Sequence, residues 1–478
     1  MIVKMLTLCV ALLLGLVSNQ AFAATEPPDL LLRNVKLIDL DATDAQWRDG
    51  MAVLVRDGRI AVVGPVDDIP ETGSVTVVDG KGRYLLPGLV DLHVHLWDQA
   101  ALGAYLAHGI TTIRNASGMP FHLDLAKRIQ AGDVPGPRLL TTGPILNSHG
   151  PNEQPNHQFV TTEAEARAAV RWQYDAGFRH LKTYSNLTHE AWIGIQAEAA
   201  ALGMTLMGHT PEGVREIGMP REKPFKIPFD TFLDASFISI EHVESIVWHA
   251  LRNRHDANAA MKLAKRIAAS GTPVDPTLVA FRNLLHVAET EGEYLHRPGT
   301  EMMNPLIVAL ETPNYERWTN EAVEPNAKAF DFYKQVTRMF ADAGVLLVAG
   351  TDAGIFTNIP GVSLIDELEL YAEAGLSPAQ ILRIATLNSA IALGEDTDRG
   401  SIAEGKVGDM VLTAADPMAD ISTLRHPVLV VAEGRPYDRA ALDALLAEAA
   451  RPDLERTMAN ALAGLQAQGS DVSILNGL

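Results

Sequence analysis

The sequence predicts an α/β fold: a (β/α)8 TIM-like barrel with a small β-sandwich domain formed from both ends of the chain. Between residues 86 and 394, short apolar runs alternate with helical segments of about 10 to 15 residues, the pattern of parallel strands joined by helices. Eight such runs can be counted, and eight strand–helix units close a barrel. Segments of alternating apolar and polar residues flank this region, so we expect them to pair into one small domain.

The two flanking segments, residues 24–85 and 395–436, form the predicted small domain. Each holds short alternating runs, and turn signals such as Asp57-Gly58 and Asp79-Gly80 are typical of tight hairpins. Beyond them, residues 437–478 are rich in Ala and Leu at helical spacing. This spacing predicts a surface helix and a tail, to which we assign no chemistry.

The barrel, residues 86–394, begins with the apolar run that contains His93 and His95. A capping box of Thr162 and Glu165 predicts the start of a helix after the third strand. Two connections, residues 213–236 and 281–325, exceed ordinary barrel loops, and we expect them to be lids over the site or dimer contacts. The other seven strands are predicted at residues 109–115, 138–142, 178–184, 204–209, 237–242, 272–278 and 345–352.

Residues 1–23 have the pattern of a removable signal peptide. Lys4 precedes an almost wholly apolar run, Met5 to Val17, and Ala21-Phe22-Ala23 supplies the small-x-small pattern of a cleavage site. A membrane anchor is the alternative, but the run is shorter than the roughly 20 residues that a spanning helix needs. We therefore expect a periplasmic or secreted protein without membrane attachment after the signal is removed.

Composition limits the classes of partner. The chain of 478 residues is 47% hydrophobic, as in globular proteins, and carries a formal net charge of -20. No basic stripe is visible, so we expect a small-molecule substrate and no nucleic-acid partner. The single cysteine, Cys9, lies in the signal segment, which excludes disulfides and thiolate metal ligands from the mature chain. The sequence leaves homo-oligomerisation open.

The motif His93-Val94-His95 is the strongest chemical signal in the chain. Alternate side chains of a strand share one face, so both imidazoles project together and supply half of a metal site. Four more residues follow apolar runs at the spacing of barrel strands, and such residues converge at the carboxyl end of a barrel: Lys182, His209, His242 and Asp352. Imidazoles with a carboxylate suit a divalent transition metal, of which zinc is favoured.

Each of these residues alone also has a structural interpretation. Lys182 would be a surface cation, His209 a hydrogen-bonded core histidine, and Asp352 the N-cap of the next helix. The consistent position of all six at strand ends favours the metal site.

Several motifs occur in the order found in a known group of enzymes. They are Leu86-Pro87-Gly88-Leu89-Val90-Asp91-Leu92-His93-Val94-His95, Gly350-Thr351-Asp352, Ala-Thr-Leu-Asn-Ser-Ala at 385–390, Gly400-Ser401-Ile402 and Gly405-Lys406-Val407-Gly408-Asp409. In these motifs the chain resembles the amidohydrolase superfamily, and within it the imidazolonepropionase-like and Xaa-Pro dipeptidase-like branch. The resemblance covers nearly the whole mature chain.

The resemblance implies two divalent metal ions. His93 and His95 would bind one ion together with Asp352, and His209 and His242 would bind the other. Lys182, carboxylated on its amine by carbon dioxide, would bridge the ions as a carbamate. A bridging hydroxide would be the nucleophile, and Asp352 would act as the catalytic base that passes a proton to the leaving group.

Two elements depart from the dipeptidase members of that branch. Ser185-Asn186-Leu187 replaces their Ser-Gly-Gly element after the lysine, and Gly208-His209-Thr210 replaces an Ala-His-Ala element. Both differences concern the pocket. Tyr184, on the same face of its strand as Lys182, and His149, after the third strand, are candidates for substrate binding. Their alternative interpretations are packing under a loop and solvent exposure.

The first functional hypothesis is a metal-dependent hydrolase that cleaves an amide bond in a dipeptide-like or N-acyl amino acid substrate. The same binuclear site would equally serve a lactone, carbamate or organophosphate ester hydrolase. A third hypothesis, from another class, is a non-catalytic periplasmic binding protein. The complete set of ligands and the proposed base favour an enzyme.

Overall fold

The computed structural model describes residues 26–40, 45–70, 73–151, 153–154, 156–234 and 237–473. The predicted signal peptide, residues 1–23, lies outside the described residues. None of the helices described combines the length and apolar character needed to cross a membrane.

The predicted small domain is one continuous sheet that takes strands from both sides of the barrel. The strand order β15-β14-β13-β4-β1-β2-β3 places β1 parallel to β4 and makes every other pairing antiparallel. The sheet curves so far that Gly408 N donates to Gly58 O at 2.9 Å, and one apolar core lies between its halves. The strands are β1 Leu30–Ile38, β2 Trp47–Arg56, β3 Arg59–Pro65, β4 Thr76–Pro87, β13 Met410–Thr413, β14 Leu429–Ala432 and β15 Arg435–Asp438.

The barrel is confirmed, with its parallel strands in chain order. Val-, Leu- and Ile-rich runs form these strands because both faces of a barrel sheet are buried. A short strand, β8, pairs with the end of β7 and was not predicted from the sequence. The strands are β5 Leu89–Val94, β6 Ile110–Asn115, β7 Arg138–Asn147, β8 His157–Phe159, β9 His180–Thr183, β10 Thr205–Gly208, β11 Phe237–Glu241 and β12 Val274–Asp275.

Residues 346–353 close the barrel without forming a regular strand. Val274 N donates to Leu346 O at 3.0 Å on one side, and Leu92 N donates to Ala349 O at 2.8 Å on the other. Isolated parallel bridges pair this segment with β12 and β5. Asp352 has φ +56°, and this left-handed conformation is incompatible with a continuous ladder.

Helices cover the barrel and surround its mouth. The predicted capping box is present, because Thr162 accepts from Glu165 N and begins a helix. The helices are α1 Leu102–Ala107, α2 Pro120–Ala131, α3 Glu163–Ala176, α4 His189–Leu202, α5 Val243–Ala250, α6 Ala257–Ser270, α7 Leu278–Glu289, α8 Pro305–Thr319, α9 Val323–Ala343, α10 Val362–Glu373, α11 Pro378–Arg383, α12 Ser389–Leu393, α13 Arg439–Ala449 and α14 Leu454–Gln468.

The C-terminal region differs from the predicted single surface helix. Two helices, α13 and α14, are separated at Pro452 and Asp453, because the proline ends the first and Asp453 caps the second through a bond from Arg456 N. One face of α14 is buried and carries Ala461 and Leu465. Ala/Leu periodicity reveals such a face but not the surface that it covers.

Candidate functional site

A cavity of about 520 Å³ lies over the carboxyl ends of the barrel strands. Its floor is formed by the six residues that the sequence singled out, which we call the strand-end cluster: His93, His95, Lys182, His209, His242 and Asp352. Helices α8 and α14, which we call the helical roof, also line the cavity. The volume is in the range of small-molecule sites.

The first half of the strand-end cluster joins β5 to the closing segment. His93 Nε2 lies 2.9 Å from Asp352 Oδ1, and His95 Nε2 lies 3.3 Å from the same oxygen. The possible ligand atoms of these three residues lie within 4.8 Å of one another, a spacing that could hold one metal ion. His95 Nδ1 is 2.9 Å from Ser117 Oγ, which orients the ring.

Asp352 is positioned by its backbone as well as its partners. Its N–H donates to His93 O at 2.8 Å although its φ is +56°, in the left-handed region that few non-glycine residues occupy. Burial would raise the pKa of Asp352, but His93 and His242, with hydrogen bonds from His93 and His95, hold it well below its usual value. The carboxylate is therefore ionised in the folded protein.

The second half of the cluster comes from β9, β10 and β11. Lys182 is 1% exposed, and its Nζ lies 2.9 Å from His93 Nε2. The rings of His209 and His242 are 4.4 Å apart between centroids, and His242 Nδ1 lies 3.8 Å from Asp352 Oδ2. His242 also has a positive φ, +68°, so two of the six residues occupy strained backbone positions.

The donor set fits divalent metal ions. Burial lowers the pKa of His95 to about 4 and that of His242 to about 3, so both are neutral and can ligate. The buried Nδ1 atom of His209 has no hydrogen-bond partner among the described residues. A buried nitrogen without a partner is costly unless a ligand satisfies it.

Three ionisable residues behind His93 were not predicted from the sequence: Arg114, Glu241 and Asp275. Glu241 Oε2 lies 2.8 Å from His93 Nδ1, and Arg114 Nη2 donates to Glu241 Oε1 at 3.0 Å. Burial would raise the pKa of Glu241, but His93 and Arg114 hold it below its usual value, whereas burial and Glu241 raise that of Asp275. A charged residue inside an apolar strand, as at Arg114 and Glu241, is the signal that could have revealed them.

Two glycines allow these groups to approach closely. A Cβ at Gly350 would overlap Asp275 Oδ2 and His93 Cβ, and a Cβ at Gly208 would overlap Thr183 O. Gly208 also has φ +123°, which disfavours other residues.

The two predicted substrate-binding residues have different locations. Tyr184 lines the cavity, and its ring packs between His157 and His209 at centroid distances of 4.7 and 4.1 Å. His149 does not line the cavity; its side chain is 70% exposed, stacks on Phe159 and lies 3.0 Å from Glu153 Oε2. A substrate-binding role for His149 stays a prediction.

The predicted lid segments both reach the cavity. From residues 213–236, Arg215 donates to Glu212 at 2.7 and 3.0 Å and lies over the Trp248 ring. From residues 281–325, α8 contributes one side of the helical roof, including Leu310 and Glu311. These contacts were not predicted individually, because no motif marks them.

The closed barrel and the strand-end cluster define a barrel hydrolase of the kind that the sequence predicted. The comparisons agree: the family model described as "Amidohydrolase family" matches residues 84–436. The chain belongs to the amidohydrolase family and is a hydrolase of the class that acts on carbon–nitrogen bonds.

Individual relatives support the predicted branch. The chain is 24% identical to an imidazolonepropionase of Treponema denticola over 419 residues, which is 83% of this chain and 90% of the relative. It is 25% identical to a candidate prolidase of Bifidobacterium longum, with a TM-score of 0.64 over 89% of this chain and 100% of that structure. A Xaa-Pro dipeptidase with bound methionine shares the fold, with 22% identity, a TM-score of 0.64 and coverage of 86% and 100%.

Proposed function

We propose that the chain is a metal-dependent amidase that hydrolyses a dipeptide-like or N-acyl amino acid substrate. The observation that carries this proposal is the convergence of the strand-end cluster in one cavity. The relatives described as imidazolonepropionase and Xaa-Pro dipeptidase support a carbon–nitrogen bond as the target.

His93, His95 and Asp352 would hold one divalent ion, and His209 and His242 a second, with zinc favoured by the ligand types. When bound, such ions activate a water molecule and polarise the scissile carbonyl. Lys182 would contribute to both sites as a carbamate. Burial lowers the pKa of Lys182 to about 8, which increases the share of neutral amine, the form that adds carbon dioxide.

Asp352 is the proposed proton carrier. Its ionised carboxylate lies at the centre of the cluster, where it can accept a proton from the attacking water and deliver it to the leaving nitrogen. Tyr184 faces the same cavity and can donate a hydrogen bond, since burial keeps its pKa above the usual value and its hydroxyl protonated.

Metal content and substrate range test this proposal together. We expect about two divalent ions per chain, fewer in His242→Ala, and turnover of dipeptides or N-acyl amino acids. Lys182→Ala should lose activity, and added short carboxylic acids should restore part of it by replacing the carbamate. Turnover confined to lactones or phosphotriesters would contradict the amide assignment, and a fully active Lys182→Ala would contradict the carbamate.

The expected export of the protein belongs to the same proposal. If residues 1–23 are a signal peptide, the mature protein will begin at Ala24 and be recovered from the periplasm or the medium. N-terminal sequencing of the protein from each fraction checks this, and a full-length chain confined to the cytoplasm would contradict it.

A further inference from the structure

The charged side chains around the cavity, outside the strand-end cluster, are mostly acidic. They are Glu212, Arg215, Glu244, Glu311 and Arg317. Arg215 is paired with Glu212 through two hydrogen bonds, and Arg317 is largely exposed and paired with Glu321 at 3.0 Å. Both arginines are therefore paired with carboxylates of the protein, and the remaining charge around the cavity is negative.

Glu311 is the most isolated of these carboxylates. It lies on α8, is 8% exposed, and accepts one hydrogen bond, from Asn314 Nδ2 at 2.7 Å. No cationic side chain of the described residues forms an ion pair with it, and burial together with the nearby carboxylate of Asp352 raises its pKa. A ligand that supplies positive charge would stabilise the ionised form of this buried carboxylate.

The same cavity holds a buried hydroxyl group, that of Thr277. Thr277 is 3% exposed and lines the cavity, and its hydroxyl makes no hydrogen bond within the described part of the chain. Its φ is +48°, a strained value for a β-branched residue. A hydroxyl and a carboxylate can both accept hydrogen bonds from an ammonium group, which has no acceptor of its own.

An apolar surface adjoins Glu311 on the helical roof. Leu306, Ile307 and Ala461 are buried together, and Leu310, Trp97 and Ile355 pack against them. Leu310 precedes Glu311 directly, and Ile307 lies one turn before it on α8. An amino group that reaches Glu311 would therefore place its apolar substituent against this surface.

We infer that Glu311 binds the protonated amino group of the substrate, so that the cavity selects aminoacyl compounds with a free amine and an apolar side chain over N-acylated ones. This inference rests on the proposed function for the bond that is cleaved. Of the two proposed substrate classes, it favours dipeptide-like compounds over N-acyl amino acids. Glu311 acts on binding and does not touch the reacting bond.

Matched substrates with and without an acetyl group on the amine test this inference with the metal-loaded enzyme. Losing one charge-assisted hydrogen bond corresponds to about a ten- to a hundred-fold change. The wild type should prefer the free amine by that factor, and Glu311→Gln should lose most of the preference through KM, with kcat nearly unchanged. Glu316→Gln, which removes the same charge from an exposed position of α8, is the control and should keep the preference.

A second measurement needs only the wild type and covers the case in which Glu311→Gln does not fold. Hexylamine should inhibit competitively, and hexan-1-ol, its uncharged counterpart, should inhibit at least ten-fold more weakly. Equal inhibition by the two, or a free-amine preference that persists in Glu311→Gln, would overturn the inference.

The amidase proposal and the role of Glu311 are tested separately when each pair of free and acetylated substrates is prepared both as an amide and as an ester. Cleavage of amides with equal efficiency for free and acetylated amines overturns the role of Glu311 and leaves the amidase intact. Turnover of esters alone overturns the amidase, while the ratio between free and acetylated esters still measures the role of Glu311.

Discussion

The floor and the roof of the cavity are built from different kinds of structure. The strand-end cluster is fixed by the barrel ladder, by strained backbone at two positions and by buried partners such as Glu241. The helical roof consists of α8 and α14, which come from an insertion and from the C-terminal region, and they meet through apolar contacts. From this difference we propose that the floor determines the reaction and that the roof determines which substrate binds.

The largest expected effect is on the floor, at Asp352. Asp352→Asn keeps an oxygen that can ligate but cannot accept a proton, so we expect kcat to fall by about 10²- to 10⁴-fold while at least one metal ion is retained. Steady-state kinetics with elemental analysis measure both quantities. A variant with wild-type kcat would show that Asp352 has only a structural role.

The next largest effect is expected at Glu241, which contacts His93 from behind the floor. Glu241→Gln removes the charge that orients His93, and loss of such a partner typically costs about 10- to 100-fold in metal affinity or activity. Metal titration of the chelator-treated protein measures the affinity directly. Glu395→Gln, at a part-buried ion pair with Arg138 far from the cluster in the fold, is the control and should bind metal normally.

A buried histidine of α2, His122, gives a smaller effect that depends on pH. His122 accepts from Met119 N at 2.9 Å and donates to Leu96 O at 2.7 Å, an arrangement that requires a neutral ring. Burial lowers the pKa of His122 to about 4 from 6.5, so the unfolded chain binds more protons between these values. This contribution to stability is complete above about pH 6.5 and is lost as the pH falls towards 4.

At pH 5, the His122 contribution lost relative to pH 7.5 is about 2 kcal/mol in the free energy of unfolding. Chemical denaturation of the wild type and His122→Gln at both pH values measures it. The difference in stability between the two pH values should be smaller in the variant. If the two proteins lose the same stability on acidification, His122 does not carry the effect.

The smallest effect is expected on the roof. Leu465→Ala shortens an apolar side chain of α14 that lines the cavity, and a loss of about 1 kcal/mol in binding corresponds to about a fivefold rise in KM without a change in kcat. Kinetics at saturating and limiting substrate separate the two constants. An equally large fall in kcat would contradict the proposal that the roof affects substrate binding and not the reaction.

The same division separates what could be predicted from the sequence. His93 and Asp352 could be placed because strand alternation and barrel closure bring strand ends together whatever the loops do. Glu241 and Arg114 could not be paired, since their contact crosses the barrel between β6 and β11. The position of the roof over the cavity could not be predicted either. The spacing of Ala461 and Leu465 indicates a buried helix face but not the element that it packs against.

The curved sheet of the small domain has a consequence for the order in which the chain can be completed. Strand β4 leads through Gly88 directly into β5, yet its outer edge pairs with β13, where Pro87 lies opposite Met410. During synthesis from the N-terminus, that edge of β4 is left open until more than three hundred further residues have emerged. A chain interrupted before residue 410 would expose an unpaired strand edge beside β5, the strand that carries His93, and such edges promote aggregation.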